Sequence, residues 1–249
     1  MFYVSRVINR NLVAVNPQRI QFIYFDLDDT LLDHRQAEQR GLADVYQAFE
    51  THFDHVSLDA VHEAYHAHSV PLWRQYAHGE IGKHDLMRLR FERTLQTLAV
   101  KGLEAEALNR IYLNHYARHW TFPEAARHAF HTLADQFPIG ILTNGFAEIQ
   151  RAKFDRFPAL RDRTEVLIIS EEVGFMKPHP RIFAHAAGAA GAPPEALLYI
   201  GDSYSSDVQG ALKAGWQSAW YTPQKNEAEP SVFQFQHWDA LMKCLLETG

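Results

Sequence analysis

Phe22-Ile23-Tyr24-Phe25-Asp26-Leu27-Asp28-Asp29-Thr30-Leu31 is the stretch from which the rest of the chain is read. Its first four residues form a short, unbroken apolar run rich in aromatic and β-branched side chains, which predicts a strand covered on both faces, as in a parallel sheet. Three carboxylates stand where that strand ends. Like charges so crowded raise one another's energy unless a cation or a shared proton relieves them, and a metal site at the carboxyl end of a strand is one arrangement that does so.

After this segment, residues from His34 to about Tyr116 carry almost no strand signal. Apolar positions recur at three- and four-residue spacing, as in Leu86, Leu89, Phe91, Leu95 and Leu98, and Gly79, Gly82 and Gly102 punctuate a pattern that predicts about four helices. A block of ~80 residues exceeds an ordinary strand-to-strand crossover, so it reads as an inserted helical domain. From Thr121 the pattern alternates in the manner of a doubly wound α/β sheet. Strands are expected at 139–142, 166–169, 197–200 and 218–221, and helices at 147–157, 180–190 and 207–214. A polar loop at 224–230 and a closing helix at 238–246 complete the pattern.

Each expected strand delivers polar residues at its end. The second is followed by Thr143, Asn144 and Gly145: a hydroxyl, an amide and a backbone N–H at the head of a helix make an anion site, although the tripeptide alone also reads as an ordinary turn. After the third comes Ser170-Glu171-Glu172-Val173-Gly174-Phe175-Met176-Lys177-Pro178; its two glutamates read as loop or helix-start carboxylates. After the fourth come Gly201, Asp202 and, five residues on, Asp207, whose local reading is an N-cap or first-turn acid.

These four segments, in this order and each behind a buried strand, resemble the signatures of the haloacid dehalogenase superfamily over about residues 20–221. The resemblance implies a Rossmann-like core with an all-α cap inserted between the first and second signatures. The expected division is an N-terminal arm at 1–19, a core at 20–34 and 117–249, and a cap at 35–116. It implies Asp26 as nucleophile and Asp28 as acid and then base. It further implies Mg²⁺ held by carboxylate oxygens of Asp26 and Asp202 and the backbone carbonyl of Asp28, with Asp207 supporting the metal from behind. Thr143, Asn144 and Lys177 are implied to bind the transferring phosphoryl group. Members that cleave carbon–halogen bonds lack the second acid two residues after the nucleophile, so Asp28 points to phosphate chemistry.

Residues 70–80, 143–146 with Gln150, 169–174 with Lys177, and 201–210 are similar to the YjjG/YfnB-type branch of pyrimidine 5′-nucleotidases, which implies a nucleoside 5′-monophosphate as substrate. Another small metabolite ester, such as a sugar phosphate or phosphoglycolate, is the alternative; a non-catalytic phosphate sensor is the reading from a different class. Within the helical block, Trp73 and Tyr76 read either as helix packing or as a stacking surface for a base.

Composition bounds the remaining choices. At 249 residues and 47% hydrophobic content the chain is long enough for one α/β domain with a sizeable core and a smaller insertion. A formal charge of −6 argues against a general nucleic-acid or anionic-membrane binder, since both need clustered Lys and Arg. A small phosphate ester needs only a local positive site, and no obligate protein partner is evident. Cys244, the single cysteine, excludes an internal disulfide and fits a reducing cytoplasm. In residues 1–19 Arg6, Asn9, Arg10 and Asn11 interrupt every apolar stretch, so neither a signal-peptide core nor a membrane span is drawn there. His62 and His66 stand four apart on an expected helix; lacking a third ligand, they read as a solvated face.

Overall fold

The computed structural model describes residues 15–223 and 232–247; the expected arm before residue 15 and the loop at 224–230 lie outside them. The described chain divides into two compact units, one ending at Leu31 and resuming at Glu124, the other spanning Leu32–Pro123. No helix among the described residues is long and apolar enough to cross a membrane.

The first unit is built on six parallel strands, β1 (Phe22–Phe25), β2 (Ile139–Thr143), β3 (Val166–Ile169), β4 (Leu197–Gly201), β5 (Gln217–Tyr221) and β6 (Phe233–Phe235), in the order β3-β2-β1-β4-β5-β6. Every residue of β1, β2 and β4 is buried, as their unbroken apolar runs require of central strands in a covered sheet. Phe25 lies in register with Ile141 on one side and Ile200 on the other. Asp26, Asn144 and Asp202, each immediately after its strand, therefore arrive at one edge, where the strand order turns back.

β2 approaches β1 closely at Gly140. A Cβ there would lie 2.3 Å from Cε1 and 2.6 Å from Cδ1 of Tyr24, its partner in register. The Tyr24 ring has nowhere to retreat, because its hydroxyl donates to the Ala186 carbonyl at 2.8 Å. Gly140→Ala is accordingly expected to cost about 3 kcal/mol or more as an overpacked core site. A urea midpoint unchanged from that of the wild type would show that the ring yields.

The helices of this unit are α5 (Glu124–Ala134), α6 (Ala147–Arg156), α7 (Pro158–Arg161), α8 (Ser170–Val173), α9 (Pro180–Ala190), α10 (Gln209–Lys213) and α11 (Trp238–Leu246), with α1 to α4 in the other unit. The helix expected at 207–214 instead starts as a π-helical turn at Tyr204–Val208, and Ser203, not Asp207, caps it by accepting from the Ser206 N–H. The Glu171–Glu172 segment is the short α8, closed by Gly174 in the left-handed conformation that an L side chain resists. Ahead of β1, Pro17–Arg19 form a 3-10 turn, and the preceding Asn16 donates its N–H to Gln217 Oε1 of β5 at 2.6 Å.

The second unit contains α1 (His34–Ala48), α2 (Leu58–Ala77), α3 (Lys83–Thr97) and α4 (Ala105–Arg118). Tyr65, Phe91 and Tyr112 meet at its centre with ring centroids 5.3–5.6 Å apart. The buried Arg90 guanidinium lies 5.2–5.8 Å from these rings and donates Nε and Nη2 to Asn109 Oδ1 at 3.1 and 2.6 Å. Aromatic faces and an amide oxygen thus replace part of its lost hydration. Asp44 of α1 accepts from His115 and His119 of α4. Burial tends to raise its pKa, but the two imidazoles outweigh that and hold the carboxyl below its ordinary value. His62 is half-buried and bonded to the Gln39 carbonyl at 3.1 Å, so only His66 is exposed as expected of both. Trp73 and Tyr76 are half-buried and meet edge to face, 5.8 Å between centroids.

Candidate active site

The end of β1 is fixed by the Asp26 N–H, which donates to the Ile200 carbonyl at 2.8 Å. Its carboxylate is buried against a cation: Lys177 Nζ donates to Asp26 Oδ1 at 2.7 Å and to Tyr199 Oη at 2.5 Å, and pairs with Asp207 Oδ1 at 2.8 Å. Burial pulls the ammonium down, yet Asp207 and Asp26 outweigh it and hold it above the ordinary lysine range. The lysine backbone is held as well. Asn144 Oδ1 accepts from the Lys177 N–H at 2.8 Å, and Asn144 Nδ2 donates to the Lys177 carbonyl at 3.0 Å. Tyr199 in turn donates to the Leu142 carbonyl at 2.7 Å; burial and nearby carboxylates keep it a neutral phenol.

Asp207 reaches this cluster from the π-helical turn. Its Oδ2 accepts from the Ser203 N–H at 3.0 Å and its Oδ1 from Ser206 Oγ at 3.3 Å. The carboxylate lies over Gly201, where a Cβ would come within 2.4 Å of Oδ2. Asp202 differs: its backbone carbonyl accepts from Trp220 Nε1 at 2.8 Å, but its carboxylate has no hydrogen bond or ion pair among the described residues.

Asp26, Asp202 and Asp207 each offer a carboxylate oxygen within 4.8 Å of the others. Burial, with Asp207 and Asp28 adding and Lys177 opposing, pushes Asp26 up to about 7. Burial, then Asp26, Asp207 and Asp29, pushes Asp202 up to about 8. Two carboxylates that resist ionisation in water-poor surroundings are suited to an all-oxygen site for a hard divalent cation, which offsets both the lost hydration and the mutual repulsion. Asp207, whose oxygens already face Lys177, Ser203 and Ser206, holds that cluster from behind.

The half-buried Asp28 turns to α6. Lys153 Nζ donates to its Oδ1 at 2.6 Å and Oδ2 at 2.8 Å, and Gln150 Nε2 to Oδ2 at 3.0 Å. Gln150 Nε2 also faces Thr143 Oγ1 at 2.7 Å and the Asn144 carbonyl at 3.1 Å. The Gly145 N–H, expected to be open to an anion, instead donates to Ser170 Oγ at 3.1 Å. All three polar groups of Thr143-Asn144-Gly145 therefore have internal partners, and this part of the site is a preassembled framework around Lys177 and Asp28.

Sequence reasoning placed Asp26, Asp28, Thr143, Asn144, Lys177, Asp202 and Asp207 at strand ends, and all seven lie in this unit. It gave no role to Tyr199, Gln150 or Lys153. The last two are buried polar residues three apart on one helix face, a spacing visible in the sequence but ordinarily read as a solvated stripe.

Residues 20–215 match the family described as haloacid dehalogenase-like hydrolase. The chain is 34% identical over 214 residues to the pyrimidine 5′-nucleotidase YjjG of Escherichia coli, covering 85% of this chain and 90% of that protein. It is 27% identical over 232 residues to the pyrimidine 5′-nucleotidase PynA of Streptococcus pneumoniae, covering 90% and 94%. A magnesium-bound crystal structure of the HAD-hydrolase YfnB from Bacillus subtilis superposes with a TM-score of 0.77 at 24% identity, covering 92% of this chain and 99% of that one. At that identity the likeness speaks to fold.

Proposed function

Because the chain belongs to the haloacid dehalogenase-like hydrolases, we propose that it hydrolyses a small phosphate monoester, with Asp26 as nucleophile, Asp28 as acid and base, and Mg²⁺ as cofactor. The observation that carries this reading is the buried Asp26 carboxylate at a strand end, 2.7 Å from an ammonium that is itself fixed through backbone and side chain. An anionic nucleophile meets a phosphate dianion only where positive charge is already in place.

Asp26 attacks phosphorus through a carboxylate oxygen, the bond from phosphorus to the leaving oxygen breaks, and Asp28 gives that oxygen a proton. Water then attacks the aspartyl-phosphate, the bond from phosphorus to Asp26 breaks with its electron pair returning to the carboxylate, and Asp28 takes the water proton. Lys177 neutralises the transferring group, with Thr143 and Asn144 beside it; Asn144 acts by fixing the Lys177 backbone. Carboxylate oxygens of Asp26 and Asp202 and the Asp28 carbonyl would hold Mg²⁺, with Asp207 behind them. When bound, Mg²⁺ supplies charge neutralisation to the phosphoryl oxygens.

The cation site has a readout apart from turnover. Asp26 and Asp202 have folded-state pKa values of about 7 and about 8, above the ~3.9 of an unfolded aspartate. Their contribution to stability is therefore full below about pH 4 and is lost as pH rises through those values. Millimolar Mg²⁺ should raise Tm more at pH 8 than at pH 6, and Asp202→Asn should lose most of that increment. An equal Tm with and without Mg²⁺ at pH 8 would count against the site.

A nucleoside 5′-monophosphate with a pyrimidine base is the substrate class that the identity to YjjG and PynA supports. Phosphate release measured over nucleoside monophosphates, sugar phosphates, phosphoglycolate and a flavin-type phosphate, with and without Mg²⁺, tests the reading. Mg²⁺-dependent cleavage led by the pyrimidine esters supports it. Cleavage led by another ester keeps the mechanism and replaces the substrate, while binding without turnover of any ester makes the protein a sensor.

A further inference from the structure

We propose that Lys153 and Gln150 of α6 are positioning residues for Asp28, an assignment that rests on the hydrolytic reading above and extends it to residues with no role there. Lys153 is 2% exposed and Gln150 1%. A lysine is almost never buried at this level unless paired, because its ammonium loses hydration that only a well-placed anion replaces. Here the anion is the Asp28 carboxylate, met on both oxygens at 2.6 and 2.8 Å, with Gln150 adding a third contact at 3.0 Å.

The helix that presents these two side chains is itself fixed. Its first-turn Ala147 N–H donates to Glu171 Oε2 at 2.6 Å, and Arg151 Nε donates to Glu172 Oε1 at 2.6 Å. Both glutamates belong to α8, which follows β3 without a gap. On the other side Gln150 Nε2 rests on Thr143 Oγ1 at the end of β2. The sheet thus sets α6, and α6 sets the carboxylate. Asp28 immediately precedes a residue in the left-handed conformation, Asp29 at φ 59°, so its carboxylate leaves the chain at a tight turn and meets α6 there.

A base takes a proton only from hydrogen-bond reach and in the right direction. In the step where water bonds to phosphorus, the acyl-phosphate bond to Asp26 breaks and one water proton passes to Asp28, a carboxylate free to swing would meet the water only part of the time. Loss of Lys153 should therefore slow hydrolysis of the aspartyl-phosphate more than its formation, provided the leaving group needs no proton.

The experiment is rapid-quench kinetics on Lys153→Met, Lys153→Arg and Gln150→Leu with p-nitrophenyl phosphate and Mg²⁺, on variants whose far-UV circular dichroism matches the wild type. Lys153→Met is expected to lower kcat about tenfold or more, with KM falling by a similar factor so that kcat/KM stays within about twofold, a burst of nitrophenol and a raised fraction of acid-stable phosphoprotein. Lys153→Arg should recover most of the rate, and Gln150→Leu should show the same pattern more weakly. Wild-type kcat in Lys153→Met, or a fall in kcat without phosphoprotein accumulation, overturns the assignment. Should Lys153→Met not fold, Gln150→Leu decides by the same two readouts. A wild-type protein that cleaves no phosphate ester overturns the hydrolytic reading itself, before any variant is compared.

Discussion

Asp26→Asn is expected to fold, to melt at or above the wild-type temperature near pH 8 in the absence of metal, and to release phosphate at least about three orders of magnitude more slowly. The change is isosteric, and Lys177 retains Asp207 and Tyr199 as partners. Its effect on the fold follows from the carboxylate's pKa. Burial, Asp207 and Asp28 together push Asp26 up to about 7 despite Lys177, so at pH 8 the ionised side chain costs stability that a neutral amide does not. Its effect on the chemistry is of another order, since an amide cannot donate an electron pair to phosphorus and leave again as a carboxylate. Phosphate release and thermal melting on the same preparation check both parts; substantial turnover in the folded variant would refute the nucleophile.

Lys177→Met should lose activity and stability together. It strips the only cation in contact with the buried Asp207 carboxylate among the described residues, and breaking a buried ion pair from one side costs about 3–5 kcal/mol. Asp26 loses its counter-charge in the same change, so phosphate would have to approach an unscreened carboxylate pair, and kcat/KM should fall by at least about a thousandfold. The stability loss should shrink as pH drops and the carboxylates take up protons. Adding Asp207→Asn to Lys177→Met should recover part of the urea midpoint and none of the turnover. A midpoint that does not recover would show that Lys177 stabilises the fold by another route. The contrast with Asp26→Asn separates a residue needed for chemistry from one needed for chemistry and fold alike.

What the sequence disclosed follows from where each residue sits on its element. β2 to β5 were legible to within one residue at each end, because a strand buried on both faces must be a short apolar run. β6 was not, since its Phe233–Phe235 is too short to show any period. Asp26, Asp28, Thr143, Asn144 and Asp202 were legible because they lie at or within three residues of the ends of such runs, whereas Lys177 and Asp207 stand six to eight residues beyond and were legible through the family resemblance. Tyr199 lies inside one and passes for core, although its hydroxyl links Lys177 to β2. Lys153, and the role of Gln150, were hidden for the opposite reason: helical periodicity marks polar positions as outward, and only the packing of α6 turns these two inward. Arg90 of α3 was hidden as well, because no pattern announces that three aromatic rings receive its guanidinium.

The three hydrogens of the Lys177 ammonium are all engaged, by Asp26, Tyr199 and Asp207. A phosphoryl oxygen that accepts from this nitrogen must displace one of them, so substrate arrival is an exchange of partners and not the filling of a vacancy. With Asp26 as the proposed nucleophile, it is the partner with reason to let go, because forming a bond to phosphorus would remove the charge that held it. Inorganic phosphate, once free of Asp26, then competes with a regenerated carboxylate for the same hydrogen. An enzyme working by the proposed mechanism would eject its product with the group it has just restored, and phosphate should be a weak inhibitor for that reason.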